Sequence, residues 1–410
     1  MHSCTGIILA AGKGTRLAPY SQTTPKPMIM VAGERIIMHT VKAIHKHVEK
    51  IIIVVPEMHL ELFRRRVGAS YDTTPIEYTI QHEQGGTAHA LRSAEPYVRT
   101  DRVLIAYADD LYGPKLIEDI STRNEAIAGV ERDDWQKFGV LKIRENNTLE
   151  AIVEKPKEEI GKIVSPGLYL LEKSAFAFYD KIQKSERGEY ELTDLVTAYA
   201  QTASIEVVHS SGYWLPIGYP WHILDATTFL MKEITSHIEG EIEPGVIIEG
   251  NVQLGKHSVI RSGTKLIGNF IFGEHCDIGP NCTFRNFAVF GDHSSVGHAN
   301  IIDSVVAGTH TEIKNLCLVS HTVFGNHDTL HSGSVTNTEN EDKSTIKVKI
   351  KGEQIDTGMK QLGSFVGDYV DAEMFTTIYP GIKLGAHTFT TAREVVFEDK
   401  DIPEEIGTRK

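Results

Sequence analysis

The stretch that decides the fold of the N-terminal part reads GIILAAGKGTRL over residues 6–17. Its first half is too apolar to face water on either side, which predicts a short buried strand. A glycine-rich turn that leaves such a strand exposes consecutive backbone N–H groups, and these can surround a phosphate chain. Lys13, Arg16 and Lys26 add three nearby cations. Together they predict a pocket for a nucleoside triphosphate.

This glycine turn matches neither of two common phosphate-binding motifs. Gly-x-x-x-x-Gly-Lys-Ser/Thr is absent, and Leu17 stands at the third glycine of Gly-x-Gly-x-x-Gly. The complete string, continued by TPKP at residues 24–27, resembles the signature of the sugar-1-phosphate nucleotidylyltransferases. The resemblance implies that the nucleotide is bound by Leu9, Ala11, Gly12, Gly14 and Thr15. It also implies catalytic roles for Lys13 and Arg16 at the departing pyrophosphate, and for Lys26 at the α-phosphate or the attacking phosphate.

Length, charge and cysteine usage exclude several other classes of protein. A chain of 410 residues can form two or three domains. A net charge of −13 argues against broad nucleic-acid binding, which needs a basic face. No apolar run approaches the roughly 20 residues that cross a bilayer, and no signal peptide is visible. The four cysteines lack zinc-like spacing. We therefore expect a cytoplasmic protein that binds neither nucleic acid nor membranes.

Residues 1–235 are expected to form an α/β, Rossmann-like nucleotidyltransferase domain with a mainly parallel sheet. Apolar runs at residues 51–55 and 103–107 read as buried strands separated by amphipathic segments. Ligands of such sheets gather at the carboxyl ends of the strands, where the first motif would lie.

Residues 240–398 show a different pattern, in which short apolar positions recur about every six residues. This period predicts a parallel β-helix, and it resembles the left-handed hexapeptide-repeat β-helices; a β-sandwich explains it poorly. A polar segment interrupts the repeat at residues 338–352, and residues 399–410 form a charged tail. The nineteen histidines read mainly as surface or turn residues.

Residues 81–88, QHEQGGTA, resemble the base-reading segment of the same family. An amide side chain can present both a donor and an acceptor to a pyrimidine edge. The resemblance implies that Gln81 and Gly86 read the base, with Gln84 and Thr87 beside it. UTP is the first choice for the nucleotide substrate, and dTTP is the second.

The sequence YADD at residues 107–110 ends an apolar strand, where a carboxylate is well placed to hold Mg²⁺. The match to the family makes Asp109 the expected ligand and Asp110 the alternative. Relatives usually read W-L-D-x-G further on, and their aspartate is often the second ligand. Here Pro216 takes that position. Either another group, such as Asp225, water or substrate phosphate, completes the magnesium shell, or catalysis is weak.

Three further segments resemble the sugar side of the family's pocket. They are FGV at residues 138–140, EKP at residues 154–156 and SPGLY at residues 165–169. The resemblance implies that Gly139 packs near the sugar, Glu154 binds a hydroxyl and Lys155 meets the sugar phosphate. Ser165 replaces the usual asparagine, so recognition of an acetamido or ring hydroxyl group can differ.

The combination of the two domains resembles archaeal-type bifunctional sugar-1-phosphate nucleotidylyltransferase/acetyltransferases. Their β-helix acetylates an amino-sugar phosphate with acetyl-CoA, and similar domains trimerise side by side. The family's H-x-x-Y-x-G-D loop is missing here, so His298 and His321 are the candidates for the catalytic histidine, and the resemblance adds Asn337, which falls at a matching asparagine. The alternative is a β-helix that serves only assembly, as a homotrimer or a multiple of trimers.

The predicted activity condenses UTP or dTTP with a sugar 1-phosphate, such as glucose 1-phosphate or N-acetylglucosamine 1-phosphate. The products are the nucleotide-sugar and pyrophosphate. The alternatives are a catalytically impaired homologue that senses nucleotide-sugars, and an additional acetyl-CoA-dependent acetyltransferase.

Overall fold

The apolar stretch at the start of the chain forms a fully buried strand, Cys4–Leu9, as its composition predicts. The computed structural model that contains this strand describes residues 3–401. Contacts divide these residues into two units: residues 3–12 with 36–216, and residues 13–35 with 217–401. The loop that follows the first strand therefore groups with the C-terminal part of the chain.

Up to residue 216, strands and helices alternate. The strands are β1 (Cys4–Leu9), β2 (Met30–Val31), β3 (Glu34–Arg35), β4 (Lys50–Pro56), β5 (Ser70–Tyr71), β6 (Thr74–Gln81), β7 (Arg102–Tyr107), β8 (Asp110–Tyr112), β9 (Ala126–Glu131), β10 (Gly139–Ile143), β11 (Leu149–Glu154), β12 (Ile163–Val164), β13 (Tyr169–Glu172), β14 (Glu206–His209) and β15 (Trp214–Pro216). The α-helices are α1 (Ile36–Ile44), α2 (Leu60–Val67), α3 (Thr87–Ala94), α4 (Pro114–Ser121) and α5 (Leu192–Tyr199). Short 3-10 helices lie at Thr15–Leu17, Tyr20–Gln22, Lys26–Met28, His45–His47, Glu57–His59, Glu95–Tyr97, Trp135–Lys137 and Lys173–Lys181.

The main sheet of the first unit has the order β11-β10-β12-β9-β13-β7-β1-β4-β6-β5, with β14 beside β9. Strands β7, β1, β4 and β6 run parallel, whereas β13 pairs antiparallel with both β7 and β9. Residues 51–55 of β4 are completely buried, as expected for a central parallel strand covered on both faces. The predicted α/β domain is confirmed, and its parallel part places the carboxyl ends of β1 and β7 side by side.

In the second unit, helix α6 (His222–Leu230) and the 3-10 helix Met231–Glu233 precede a long series of parallel strands. These strands are β16 (His237–Ile238), β17 (Glu241–Ile242), β18 (Ile247–Leu254), β19 (Val259–Ile260), β20 (Lys265–Phe272), β21 (Asp277–Ile278), β22 (Thr283–Phe290), β23 (Ser295–Val296), β24 (Ile301–Ala307), β25 (Glu312–Ile313), β26 (Leu318–Ser320), β27 (Val323–Phe324), β28 (Thr329–Leu330) and β29 (Val335–Thr336). The hairpin β30 (Lys347–Ile350) and β31 (Glu353–Asp356) then interrupts them, before β32 (Phe365–Val366), β33 (Asp371–Ala372), β34 (Thr377–Ile378), β35 (Lys383–Leu384) and β36 (Val395–Val396).

The strand register confirms the six-residue period and the β-helix. Ile247 pairs with Lys265, and Lys265 with Thr283, so each of these coils takes 18 residues, or three periods. Two later coils take 17 residues, since Ile301 pairs with Leu318 and Leu318 with Val335. Apolar side chains from every coil fill the interior, including four phenylalanines in mutual ring contact, Phe270, Phe272, Phe284 and Phe290. Burial of one such ring stabilises the fold by roughly 1.5–3 kcal/mol.

One corner of the β-helix carries a stack of aromatic rings, which we call the histidine ladder. Adjacent rings are nearly parallel, with centroids 4.6–4.8 Å apart. Every member has a positive φ, because each lies at a tight left-handed turn between strands. The members are His257, His275, His293, His310, His327, Tyr369 and His387. These histidines do lie in turns, as expected, but they stack in a continuous column.

The ladder predicts a fall in stability at acidic pH. Desolvation, His327 and His293 lower the pKa of His310 below its ordinary value, while Asp292 acts in the opposite direction. The unfolded chain therefore binds this proton more tightly, and stability is lost as pH falls below about 6.5. We expect the melting temperature of His310→Asn to fall less between about pH 7.5 and pH 5 than that of the wild type. His298→Asn, at another corner, should keep the wild-type fall; equal slopes for the two variants would contradict the prediction.

No helix among residues 3–401 is long and apolar enough to span a membrane. The domain ranges 1–235, 240–398 and 399–410 stay predictions, and the tail from residue 402 lies outside the described residues.

Candidate active site

The ends of β1 and β7 bring the first half of the glycine turn next to an acidic pair. The amide of Ala108 donates a hydrogen bond to the Leu9 carbonyl at 3.0 Å, which fixes the two strand ends side by side. Ala11 is buried, whereas Gly12 is exposed, and a Cβ on Gly12 would meet no atom within 4 Å. Residues 9–12 and Asp109 therefore lie at the same edge of the sheet, with open space beside the glycine.

The two carboxylates of the YADD segment have different surroundings. Asp110 is buried, and its Oδ2 accepts a hydrogen bond from the Trp214 indole at 2.9 Å. Asp109 is only partly buried. Pro216 pairs directly with Asp110 in the β15–β8 ribbon, so the position that holds an aspartate in W-L-D relatives lies beside this acidic pair. Asp110 thus joins β15 to the strand in which it lies.

The donor set at this edge fits Mg²⁺ only if substrate supplies most of the ligands. Among residues 3–401, no group of three or more His, Cys, Asp or Glu side chains is arranged to hold a metal ion. Mg²⁺ commonly binds to one or two carboxylates and takes its remaining oxygens from phosphates and water. One carboxylate from Asp109 satisfies this minimum, and Pro216 offers no second one.

The base-reading segment is held rigidly between β6 and α3. Gln81 is buried, and its Nε2 donates to the Gly86 carbonyl at 3.0 Å and lies 3.1 Å from His89 Nδ1. Gly86 has a φ of 95°, and a Cβ there would lie 2.5 Å from the Tyr190 carbonyl, so only glycine fits. The Thr87 hydroxyl accepts a hydrogen bond from the Leu192 amide at 2.8 Å. The Gln81 amide nitrogen is therefore occupied, and the side-chain orientation is fixed.

Gln84 lies in the same segment but is exposed. Its place beside the base stays a prediction.

The sugar-side residues cluster where β10 meets β11. Gly139 pairs with Glu154, and a Cβ on Gly139 would lie 3.2 Å from Glu154 Oε2. Lys155 Nζ lies 3.6 Å from Glu154 Oε1, and both side chains are partly exposed. The Ser165 amide donates to the Gly139 carbonyl at 2.8 Å. All four predicted sugar-side residues are therefore neighbours.

The Ser165 hydroxyl has internal partners. It donates to Tyr169 Oη at 3.2 Å and accepts from the Gly167 amide at 3.2 Å. A serine hydroxyl has one donor and two acceptor sites, so only one acceptor site is left for a ligand. Ser165 can accept a hydrogen bond from a sugar, but it cannot replace an asparagine amide as a donor.

The second half of the glycine turn belongs to the unit that contains the β-helix. Gly14 has a φ of 61°, and a Cβ there would lie 2.6 Å from the Lys26 Cβ, so the glycine lets the turn pack against a buried lysine. The Arg16 guanidinium lies 5.4 Å from the centre of the Tyr219 ring, which is the range of a cation–π contact. Lys13 and Thr15 are exposed. Lys13 and Arg16 are thus exposed to solvent, whereas Lys26 is buried.

The three acetyltransferase candidates are dispersed over the β-helix. His298 is exposed at one corner. Asn337 uses its Oδ1 to accept the amides of Thr338 and Glu339, at 2.8 and 3.4 Å. His321 lies at a different corner, with a φ of 47°, and lines a cavity of about 1020 Å³. The structure does not bring the three together in this cavity.

The same cavity contains charged residues that the sequence did not single out as one site. The cavity is lined by Lys343 from the interrupting segment, Lys360 from beyond the hairpin and Asp225 from α6, together with His321. Burial raises the pKa of Asp225 to about 6. Desolvation lowers the pKa of His321, with Asp303 opposing the shift, which favours the neutral ring. No local motif could have revealed this grouping, because it joins segments more than a hundred residues apart.

Comparison with known proteins gives matches to both halves of the chain. A family model described as nucleotidyl transferase matches residues 5–233. A protein from Methanococcus maripaludis named bifunctional protein GlmU is 34% identical over 97% of this chain and 95% of its own length. A bifunctional sugar-1-phosphate nucleotidylyltransferase/acetyltransferase from Sulfurisphaera tokodaii is 31% identical over 96% of this chain and 97% of its own. The resemblance inferred from the motifs is confirmed.

A solved structure supports the fold of the N-terminal part. A putative glucose-1-phosphate thymidylyltransferase from Bacillus anthracis aligns with a TM-score of 0.52 and 26% identity, covering 58% of this chain and 98% of that one. The structural similarity thus covers the α/β domain, and the sequence similarity covers nearly the full chain.

Proposed function

The chain belongs to the nucleotidyl transferase family, and we propose that it joins UTP or dTTP to a sugar 1-phosphate, releasing pyrophosphate. Membership of the family makes it a nucleotidyltransferase, as the sequence predicts. The observation that carries the proposal is the hydrogen bond from Ala108 to Leu9, which places Asp109 beside the start of the glycine turn. A phosphate bound at the start of that turn would be within reach of an acidic ligand for its counter-ion.

In the proposed reaction, an oxygen of the sugar phosphate attacks the α-phosphorus in line, and the bond to the β-phosphate oxygen breaks. Gly12, Gly14 and Thr15 donate backbone N–H groups to the triphosphate. Lys13 and Arg16 neutralise the charge that develops on the departing pyrophosphate, and Lys26 holds the α-phosphate or the attacking phosphate. These residues position the reactants and offset charge, so no covalent step falls to the protein.

Asp109 would hold Mg²⁺, which neutralises phosphate charge and orients the phosphate oxygens when bound. Asp110 remains the alternative ligand, but its bond to Trp214 favours Asp109. On the sugar side, Glu154 would accept a hydrogen bond from a sugar hydroxyl, and Lys155 would form an ion pair with the sugar phosphate. Gly139 has no side chain and would let the sugar ring approach closely. Ser165 would accept one hydrogen bond from the sugar.

The fixed amide of Gln81 favours uracil and thymine over cytosine. Its nitrogen donates to Gly86 and also lies against His89 Nδ1, so its oxygen is the group that would accept a hydrogen bond from the base. Uracil and thymine carry a donor at N3, whereas cytosine carries an acceptor there. Gly86, Gln84 and Thr87 would lie beside this contact.

We expect Gln81→Leu to lower kcat/KM for UTP by about 10–100-fold, because one buried hydrogen bond is worth roughly 1–3 kcal/mol. Pyrophosphate release measured with UTP, dTTP and CTP gives the ratio for each base. Gln201→Leu, an exposed glutamine on the same domain, should leave all three values near wild type. Unchanged discrimination in Gln81→Leu would contradict the assigned role.

The activity itself is tested by incubating the full chain with Mg²⁺, each nucleoside triphosphate and a panel of sugar 1-phosphates, including those of glucose and N-acetylglucosamine. Pyrophosphate release with UTP or dTTP supports the proposal. Nucleotide-sugar binding without release from any pair would instead favour a sensing homologue.

A second candidate function, acetyl transfer, is favoured by the cavity that His321 lines. Its neutral ring could accept the proton of an attacking amine, while the thiolate of acetyl-CoA leaves. Thiol release from acetyl-CoA with glucosamine 1-phosphate tests this, and it should be lost in His321→Asn but kept in His298→Asn. Absence of thiol release from the wild type would contradict acetyl transfer and favour a β-helix that serves only assembly.

Assembly as a homotrimer, or a multiple of trimers, is favoured by exposed apolar side chains in one column of the β-helix. Ile301, Leu318 and Val395 are each at least 40% exposed, and the strand register places them in line. Light scattering from the full chain gives the mass that tests this proposal.

A further inference from the structure

The loop of residues 13–35 carries Arg16 and Lys26, and its middle part is bonded to the β-helix. The Tyr20 hydroxyl is buried and donates to the Val323 carbonyl at 2.8 Å. The Gln22 Oε1 accepts the Ala386 amide at 2.9 Å. These contacts join residues more than 300 positions apart in the sequence. They lie between the two cations along the chain, so they restrain the backbone from which both project.

Asp368, on the β-helix, also contacts this loop. Its Oδ2 accepts the hydroxyl of Thr23 at 2.6 Å and that of Thr24 at 3.2 Å. Its Oδ1 accepts the backbone amide of Asn326 at 2.7 Å and the Asn326 side-chain amide at 3.1 Å. Asp368 is only 5% exposed, and hydrogen bonds to a charged acceptor are about twice as strong as neutral ones.

Equivalent positions in other coils show which of these bonds the β-helix itself needs. Asp292 Oδ1 accepts the Glu274 amide at 2.8 Å, and Asn326 Oδ1 accepts the Thr309 amide at 3.0 Å. Each of these side chains therefore links its coil to the preceding one through a single oxygen. Asparagine is sufficient for this link at position 326. The link between coils therefore does not need the second oxygen of Asp368, Oδ2. The partners of this oxygen are the two threonines of the loop.

A glycine next to Asp368 also allows the loop to lie close to the β-helix. A Cβ on Gly367 would lie 2.9 Å from the Cβ of Pro19, so glycine at this position gives the loop room to lie against the coil. At its other end, the loop is anchored to α6, where the Ala32 amide donates to Thr227 Oγ1 at 3.2 Å. The loop is therefore fixed on both sides of Lys26.

We infer that Asp368, with Tyr20, Thr23 and Thr24, is a positioning element for nucleotidyl transfer, through which the β-helix holds Arg16 and Lys26 in register for the triphosphate. The inference rests on the proposed function. Such residues touch neither substrate nor metal. Their effect follows from the steep dependence of catalysis on geometry, since displacement of a charged group by about 1 Å can cost up to about 100-fold in rate.

The test replaces the hydroxyls of the loop without disturbing the coil. Thr23→Val/Thr24→Val keeps side-chain shape and removes both donors to Asp368. We expect kcat for pyrophosphate release to fall about 10–100-fold with a smaller change in the KM for the nucleotide, because Arg16 and Lys26 act mainly on the transition state. Thr23→Ser/Thr24→Ser retains both hydroxyls and should restore most of the rate.

Asp368→Asn and Asp292→Asn form the matched pair for the β-helix side. Both keep an oxygen for the link to the preceding coil, but only Asp368→Asn removes the carboxylate oxygen that the loop uses. We expect a lower kcat in Asp368→Asn alone, with similar melting temperatures for both. Equal activity of the two variants, or a wild-type rate in the double valine variant, would overturn the inference.

Hydrogen exchange of residues 13–35 provides a readout that does not depend on activity. These amides should exchange faster in Thr23→Val/Thr24→Val than in the wild type and Asp292→Asn. If exchange does not change, the inference fails even when the enzyme is active. If the wild type releases no pyrophosphate, the proposed function fails, while exchange still reports whether the contacts restrain the loop.

Discussion

Replacement of Lys26 by alanine is expected to lower kcat for pyrophosphate release by about 100–1,000-fold, the usual cost of removing a group that stabilises charge in the transition state. Lys26 is 6% exposed, so its charge acts in surroundings with little water, where electrostatic interactions are strong. The KM for the nucleotide should change much less. Steady-state kinetics with UTP and a sugar 1-phosphate measures both parameters.

Two controls separate the loss of charge from a loss of packing. Lys26→Met keeps most of the side-chain volume against Gly14 and should be as inactive as Lys26→Ala, with a melting temperature closer to that of the wild type. Lys46→Ala removes an exposed lysine and should leave both kcat and stability unchanged. A kcat within tenfold of wild type for Lys26→Met would refute the assigned role.

Asp109→Asn is expected to cause a loss of similar size, about 100-fold or more in kcat, and to raise the Mg²⁺ concentration needed for half-maximal rate. The physical reason is that Asp109 is the best-placed carboxylate for a hard cation at this edge, and Pro216 supplies no substitute. Magnesium titrations of the initial rate measure both effects.

Asp110→Asn distinguishes the two adjacent acids. This change alters the buried bond to Trp214, so we expect lower stability by about 1–3 kcal/mol and a nearly unchanged Mg²⁺ requirement. Asp133→Asn, on an exposed segment of the same domain, controls for surface charge. If Asp110→Asn, rather than Asp109→Asn, shifts the magnesium titration, the alternative ligand is correct.

Much of the site could be predicted because its residues follow strand ends in sequence. Gly12 and Asp109 each come after an apolar run and Gln81 ends β6, and the parallel part of the sheet brings such positions to one edge. The different roles of Asp109 and Asp110 could not be predicted, because they depend on the Trp214 indole, 104 residues from Asp110. The internal hydrogen bonds of Ser165 likewise depend on the final conformation of its turn.

The histidine ladder was present in the sequence as a recurring Gly-x-His, but its spacing is irregular. The intervals follow coils of both 18 and 17 residues and are broken by the inserted hairpin. Stacking of the rings at 4.6–4.8 Å follows only when the coils are in register, since that spacing is the distance between neighbouring strands.

By itself, the sequence determined the two architectures and predicted the chemistry proposed for the phosphate site, because strand burial, the six-residue period and the glycine turn are local patterns. Only the tertiary structure decided where the loop of residues 13–35, which carries Arg16 and Lys26, is held. The side chains of Tyr20, Thr23 and Thr24 bind partners more than 300 residues away, on the β-helix. Hydrogen bonds of this kind depend on which surfaces fold together, and no local propensity or spacing encodes that choice.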